Sequence, residues 1–154
     1  MIDTPRIVEV EPVLTAAIRL TVPRGEIQEV MGPAIAEVME TVAAQGVGPA
    51  GPWLTHHLRM DPEVFDLEVC VPVSRPVTPA GRVVPSGLPA ATVAQATYAG
   101  PYEGLSGAWG ELMAWIAEQG RTPAPGLWEV YRINPANGVD PATWRTDLHR
   151  PLEG

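Results

Sequence analysis

Apolar and polar residues alternate in short runs along the first half of the chain, and one longer stretch has helical spacing. Residues 7–22 alternate around Pro12, which indicates a strand broken by a bend. A helix is predicted over 25–45, where one face collects Ile27, Met31, Ile35, Val38 and Val42. Gly32-Pro33 should kink this helix or mark its true start, and Gly46 is a suitable C-cap. Strands are then predicted over 52–60 and 64–73, on either side of an Asp-Pro turn.

The second half of the chain repeats this order of elements. We expect a strand over 91–98, a break at Gly100-Pro101, and a helix over 102–119 that Gly120 closes. The apolar stripe of this helix is Leu105, Trp109, Leu112 and Ile116. Strands over 127–133 and 143–152 follow, with a loop over 134–141 between them. Matching landmarks, such as Trp53 with Trp128, predict two repeats, about 7–73 and 90–152.

These repeats predict a single domain over 1–154, with the Pro- and Gly-rich segment 74–89 as linker. Two β-α-β-β units favour an α+β fold with a mostly antiparallel sheet and both helices on one face. The opposite face of a twisted sheet is concave. We therefore expect a central ligand groove on that face, at the pseudo-twofold axis between the halves.

Composition narrows the functional classes. The chain has 154 residues and a formal net charge of -8, which makes a phosphate backbone a poor partner, so no direct nucleic-acid binding is predicted. Its single cysteine, Cys70, excludes a disulfide framework, and we expect it to be a small buried hydrophobe. No apolar run is long enough for a membrane span, and no secretory signal is visible. The prediction is a cytoplasmic protein that does not associate with membranes.

Several short motifs do not carry the chemistry that their letters suggest. Residues 46–51 match G-x-G-x-x-G, but the match follows a helix and precedes a strand, the reverse of a dinucleotide site. His56 and His57 are adjacent, so on a strand they point to opposite faces and cannot share one metal ion. Ser106 lacks the spacing of a nucleophile elbow. No metal and no cofactor is predicted.

Aromatic residues distinguish the two halves. Seven of the nine lie in the second: Tyr98, Tyr102, Trp109, Trp115, Trp128, Tyr131 and Trp144. Trp109 is on the apolar stripe of its helix, which is typical of a core position. Tyr102 and Tyr131 carry hydroxyl groups that need partners, so we expect them where one end of the ring meets water.

Glu129 is the most informative residue. Strand alternation places it on one face with Leu127, Tyr131 and Ile133, whereas Arg132 points to the other face. The matching position in the first repeat is Leu54, and the chain has no lysine to neutralise the carboxylate. An organic cation enclosed by aromatic rings would satisfy both the charge and the ring quadrupoles. The alternative is that Glu129 lies at a sheet edge and is solvated.

These residues resemble a known family. Gly100-Pro101-Tyr102-Glu103 before a tryptophan-bearing helix, then Trp128-Glu129-Val130-Tyr131, then Trp144-Arg145-Thr146-Asp147-Leu148 and a final Pro151-Leu152, resemble a GyrI-like domain. This module is the effector-binding domain of multidrug-sensing AraC- and MerR-type regulators, within the SOUL-like superfamily. The resemblance covers the chain from about Val8 to Leu152. It leaves no segment for a helix-turn-helix, so we do not expect a self-contained repressor.

The resemblance implies a set of ligand-binding residues. Glu129 would be the acid that faces the ligand, Tyr131 would share its face, and Tyr102 would fill the aromatic position before the second helix. Trp53 would line the opposite wall. Leu54, His56 and Trp144 complete the predicted set.

Three functions stay open. The first is a stand-alone, non-enzymatic protein that captures flat hydrophobic, often cationic aromatic compounds. The second is a hydrolase that detoxifies cyclopropane-bearing alkylating compounds, with Glu129 as the base that orients or deprotonates water. The third is a protein-interaction or inhibitor module that sequesters an unidentified protein, such as a basic enzyme, for which the charge of -8 is suitable. Haem binding ranks last, because no axial histidine is placed.

Overall fold

A computed structural model describes residues 2–60, 63–134 and 140–153. The chain divides into two compact units, an N-terminal unit of Glu11–Ala90 and a C-terminal unit of Met1–Val10 with Ala91–Gly154. The described strands are β1 (Arg6–Val10), β2 (Val13–Pro23), β3 (Leu54–Met60), β4 (Val64–Pro72), β5 (Val84–Leu88), β6 (Ala91–Ala99), β7 (Leu127–Ile133) and β8 (Arg145–Pro151). The helices are α1 (Ile27–Gln45) and α2 (Leu105–Glu118).

The N-terminal unit has four strands in the order β3-β4-β2-β5, all antiparallel to their neighbours. Aliphatic side chains fill its core, and Ile18, Val38, Val42, Val69 and Val71 are completely buried. Their burial is the main favourable term for this unit. The helix α1 contributes the buried face predicted from its spacing, and Gly46 ends it in the left-handed conformation at φ 64°.

Two sequence predictions about this unit need correction. Pro33 does not mark the start of α1, which begins at Ile27 and continues through the proline. The helix tolerates the lost hydrogen bond because Ala34, Val38 and Val42 on its core side stay packed. The predicted linker 74–89 contains a strand, because β5 pairs with β2 from Val13–Leu88 to Ala17–Val84. An edge strand can hold Pro85, since its missing N–H needs no neighbour.

The C-terminal unit has the strand order β1-β6-β8-β7, again antiparallel. The predicted break near Pro12 is present, since β1 ends at Val10 and pairs with β6, whereas β2 pairs inside the other unit. The helix α2 packs Ala108, Leu112 and Ile116 on one face of this sheet. Each unit is thus an antiparallel sheet with one helix, which confirms the predicted α+β fold. The exact limits of the two sequence repeats stay a prediction.

Within the described ranges, none of the helices is both long and apolar enough to cross a membrane.

Candidate functional site

Glu129 lies inside the C-terminal unit. Only 8% of it is exposed, and its partner across the strand pair is Leu148 on β8. Leu148 packs in the core beneath α2, and residues directly opposite on neighbouring strands share a face. Glu129 therefore lies on the face that α2 covers, whereas the sequence predicts the ligand groove on the face without helices. The predicted edge-solvated position of this carboxylate is excluded by its burial.

Two aromatic donors hold the carboxylate of Glu129. The indole Nε1 of Trp109 donates to Oε2 at 2.6 Å, and the hydroxyl of Tyr131 donates to Oε1 at 2.6 Å. Trp109 comes from α2 and Tyr131 from the same strand as Glu129, two residues on. An indole N–H can only donate, so these short contacts fit an acceptor group of the carboxylate type. Both oxygens are thereby fixed in orientation.

No basic side chain that the structure describes neutralises the carboxylate of Glu129. Among the residues that the structure describes, no arginine or histidine forms an ion pair with Glu129. Arg132, three residues on, pairs instead with Asp147 on the other face of the strand, at 3.1 Å. This placement of Arg132 matches the predicted alternation. Among the described residues, Glu129 is therefore a buried acid whose hydrogen-bond partners are the neutral donors of Trp109 and Tyr131.

Tyr102 and Trp144 form an aromatic pair beside this group. The ring of Tyr102 lies 4.9 Å from Trp144 with an interplanar angle of 33°, and 5.7 Å from Tyr131 in an edge-on arrangement. The hydroxyl of Tyr102 is shielded from solvent, and no described residue hydrogen-bonds to it. Burial, together with the charge of Glu129, raises the pKa of Tyr102 to about 12. At neutral pH this hydroxyl keeps its proton and can donate a hydrogen bond to a partner.

A glycine and a tyrosine position Tyr102. Tyr98 on β6 donates its hydroxyl to the carbonyl oxygen of Pro101 at 2.7 Å, which fixes the turn that carries Tyr102. Gly104, in the same 3-10 turn, lies against the Tyr98 hydroxyl so closely that a Cβ there would collide with it. The Gly100 backbone has φ 133°, a conformation that L side chains rarely adopt. The Gly-Pro-Tyr-Glu-Gly segment therefore has a local structural reason for each of its glycines.

Four of the predicted site residues come together in the C-terminal unit: Glu129, Tyr131, Tyr102 and Trp144. The other three belong to the N-terminal unit. There Trp53 packs against the aliphatic core, Leu54 is buried, and His56 lies 3.8 Å from Glu68. A role in the ligand site stays a prediction for these three, as does the groove expected between the two repeats.

Trp109 belongs to the site, although the sequence pattern predicted only a core position for it. It does pack against the core, as its place on the apolar stripe predicts, but its indole N–H also reaches Glu129. A buried tryptophan needs an acceptor for that N–H, and the sequence has few buried acceptors in this unit. Matching the donor of Trp109 with the acceptor of Glu129 could have predicted their hydrogen bond from the sequence.

The cysteine and the two adjacent histidines that the sequence analysis considered lie in the N-terminal unit. Cys70 is buried, and desolvation raises the pKa of its thiol well above the usual range. His56 and His57 contact different partners, Glu68 and Thr55 respectively. Within the part of the chain that the structure describes, no three His, Cys, Asp or Glu side chains converge as a metal site requires.

This arrangement can be compared with known proteins. The family model of the GyrI-like small molecule binding domain matches residues 3–153. The chain belongs to this family. The GyrI-like resemblance drawn from the Tyr102 and Glu129 motifs is thereby confirmed. Comparison with curated protein sequences finds no significant match.

Solved structures share the GyrI-like fold. The EcmrR C-terminal domain superposes with a TM-score of 0.84 at 23% identity, and the match covers 97% of both chains. In an EcmrR–DNA complex the TM-score is 0.85 at 23% identity, over 97% of this chain and 57% of EcmrR. The chain thus spans little more than half the length of that EcmrR chain.

More distant relatives differ in what they are described to do. SAV2435 bound to tetraphenylphosphonium has a TM-score of 0.67 at 13% identity, covering 99% of this chain and 95% of its own. A hydrolase from Listeria innocua has a TM-score of 0.64 at 16% identity, covering 97% and 91%. At these identities the likeness shows the fold alone.

Proposed function

We propose that this GyrI-like domain captures flat, hydrophobic organic cations at Glu129 and its aromatic neighbours. The observation that carries the proposal is the buried carboxylate of Glu129, which has two aromatic donors but no described cationic partner. A buried charge without a counter-charge is costly, because it has lost its hydration. A cationic ligand would supply the missing counter-charge, and the fold would recover part of that cost on binding.

The rings around Glu129 suit such a ligand. Tyr102 and Trp144 are each partly exposed, so part of this aromatic pair can contact a ligand from solvent. A cation over an aromatic face gains about 1 kcal/mol, and buried apolar area adds about 25 cal/mol per Å². The unpartnered Tyr102 hydroxyl offers a hydrogen bond to a ligand acceptor. Charge, ring faces and one polar contact are the combination that small-molecule sites use.

Two relatives support this proposal. SAV2435 has been seen with tetraphenylphosphonium, a lipophilic aromatic cation. The fold is also that of the EcmrR C-terminal domain.

A matched pair of ligands tests the proposal. N-methylacridinium and acridine have nearly the same shape at pH 7.5, but only the first is permanently charged. Isothermal titration calorimetry should find the cation bound about tenfold more tightly, and Glu129→Gln should remove this preference. Glu118→Gln, an exposed acid at the end of α2, changes the net charge equally and should keep the preference. Equal affinities for the two ligands in the native protein would overturn the proposal.

A second candidate is a hydrolase of cyclopropane-bearing alkylating compounds. The free Tyr102 hydroxyl favours it, since a protonated phenol near a carboxylate can donate to an oxygen that gains charge as the ring opens. Glu129 would orient water, whose oxygen bonds to the strained carbon while the carbon–carbon bond breaks. The bonding electrons pass to the conjugated carbonyl oxygen, and the water proton ends there. One neighbour in the fold is a hydrolase from Listeria innocua.

Mass spectrometry separates the two candidates. Capture alone returns a cyclopropane-bearing compound intact, whereas hydrolysis adds the mass of one water with turnover. Glu129→Gln should abolish turnover, and Tyr102→Phe should slow it while binding of N-methylacridinium persists. The cytoplasmic location, the absence of direct nucleic-acid contact and the protein-interaction role stay predictions.

A further inference from the structure

One cleft of the C-terminal unit lies away from Glu129. Its volume is about 450 Å³, and it is wide open to solvent. Its lining residues are Ile2, Asp3, Thr97, Ala99, Arg132 and Arg145. Volumes of this size are typical of small-molecule sites. Thr97 and Ala99 alternate with Tyr98, which packs beneath α2, so the cleft is on the face of this sheet opposite Glu129.

Arg132 lines the cleft, and Asp147 neutralises its charge. Its Nε and Nη2 donate to the two oxygens of Asp147, each at 3.1 Å. Thr97 donates its hydroxyl to the same carboxylate at 2.7 Å. This bidentate pair balances its own charge and holds the Arg132 guanidinium in one orientation. The Nη1 of Arg132 makes no described hydrogen bond and stays available to a ligand.

Arg145 is fixed but has no acidic partner. Its Nη1 donates to the carbonyl oxygens of Ala142 and Trp144 at 3.1 and 2.9 Å, which sets the direction of the guanidinium. In residues 2–60, 63–134 and 140–153, no carboxylate forms an ion pair with it. Its Nε and Nη2 are therefore a preorganised donor edge for an oxyanion.

Asp3 places the opposite charge in the same cleft. Its Oδ1 accepts the backbone N–H of Thr97 at 2.8 Å, so the side chain is held against β6. Neither Arg145 nor any other described basic residue forms an ion pair with it. Once the Arg132–Asp147 pair is set aside, the cleft presents one positive and one negative group that do not neutralise each other. A ligand complementary to both carries an ammonium and a carboxylate.

We propose that this cleft binds a short peptide zwitterion of dipeptide size. The carboxylate would meet the Nε and Nη2 edge of Arg145, and the ammonium would meet Asp3. Two residues of extended chain span roughly 7 Å, so the two ends of a dipeptide can meet separate groups, and Asp3 and Arg145 form no ion pair with each other. The exposed methyl of Ala99 leaves room for an apolar ligand side chain.

Three related probes test the charges separately. L-leucyl-L-leucine carries both, its N-acetyl form lacks the ammonium, and its C-terminal amide lacks the carboxylate. In ¹⁵N–¹H NMR titrations the free dipeptide should give saturable shifts of the Thr97 and Arg145 amides. Each blocked form should bind about tenfold more weakly. Equal binding of all three, or shifts confined to residues around Glu129, would overturn the proposal.

Variants separate this site from the cation site. Asp3→Asn and Arg145→Gln should each weaken dipeptide binding about tenfold, whereas Arg75→Gln, an exposed arginine of the other unit, should not. Arg145 is bonded to the Trp144 backbone, so Asp3→Asn is the variant to rely on if Arg145→Gln perturbs folding. Glu129→Gln should leave dipeptide binding intact, and Asp3→Asn should leave N-methylacridinium binding intact. Dipeptide affinity unaffected by Asp3→Asn would contradict the assignment.

Discussion

The two units of this protein share an order of elements but differ in the partners of their buried acidic side chains. In the N-terminal unit two acidic side chains of the sheet have charged or polar partners: Asp66 pairs with Arg19 at 2.8 Å, and Glu68 accepts from Ser86 and lies near His56. In the C-terminal unit Glu129 is buried without a described cation. In the N-terminal unit these paired side chains help to hold neighbouring strands together. Under our proposal, the carboxylate of Glu129 is the charge that a cationic ligand would neutralise on binding.

The tightest packing near the site gives the largest expected effect. Gly104→Ala would push a methyl group into the Tyr98 hydroxyl and ring, and would break the contact of Tyr98 with Pro101. We expect a loss of about 3 kcal/mol in the free energy of unfolding, as for other overpacked sites. Urea denaturation followed by circular dichroism measures it.

Gly107→Ala is the matched control, since nothing lies within 4 Å of a Cβ added there. On helical propensity it should stabilise by about 0.5–1 kcal/mol. If both variants behaved alike, the close approach at Gly104 would not be what limits that position.

The hydrogen bond from Trp109 to Glu129 comes next. Trp109→Phe keeps most of the packing but removes the N–H, so one buried oxygen loses its donor. The expected loss is about 2 kcal/mol of unfolding free energy. Trp115→Phe provides the comparison, because Trp115 packs against the same core from the same helix and its indole donates no hydrogen bond to the described residues. We expect a smaller loss there, and an equal or larger loss for Trp115→Phe would show that the N–H of Trp109 is not what matters.

Tyr102 predicts a dependence of stability on alkaline pH. Its pKa in the folded state is raised to about 12, above its ordinary value near 10. Between these values the unfolded chain has released the proton and the folded chain has kept it, so stability falls as pH rises. Thermal unfolding between pH 9 and 11 should show a shallower fall in Tyr102→Phe than in the native protein. Parallel curves for the two proteins would show that Tyr102 is not the group responsible.

Glu68 predicts the smallest effect, on the acid side and in the other unit. The nearby His56 lowers the pKa of the Glu68 carboxyl, and the hydrogen bond from Ser86 lowers it further. Partial burial acts in the opposite direction and raises this pKa. Its stabilisation is present above the unfolded pKa and disappears as pH falls through the folded pKa. Because Glu68 is only half-buried, we expect at most about 1 kcal/mol. Between pH 6 and pH 3.5, the free energy of unfolding should fall less in Glu68→Gln than in the native protein. An equal fall in both proteins would show that Glu68 is not the group responsible.

Regular elements were predictable because their signals are local. The limits of β7 match the predicted strand 127–133, and Gly46 and Gly120 both adopt the left-handed conformation after their helices. The strand β5 was missed because Pro85 and Gly87 resemble linker residues, and only its pairing with β2 makes it a strand. Local sequence cannot report that pairing.

The candidate site was predictable to a different degree. Alternation and the family resemblance bring Glu129 and Tyr131 to one face, and the structure joins Tyr102 and Trp144 to them. The role of Trp109 depends on a contact between a helix and a strand twenty residues apart, which periodicity does not encode. The cleft at Asp3 and Arg145 is lined by four separate segments of the chain, so no single sequence motif predicts it.

The proline in β5 has one more consequence. β5 forms one edge of the sheet in the N-terminal unit, where unpaired amides could template the addition of a strand from another molecule. Pro85 removes one of the amide hydrogens along that short strand, and Gly87 weakens its extended conformation. This edge is therefore less suited to adding a strand from another molecule.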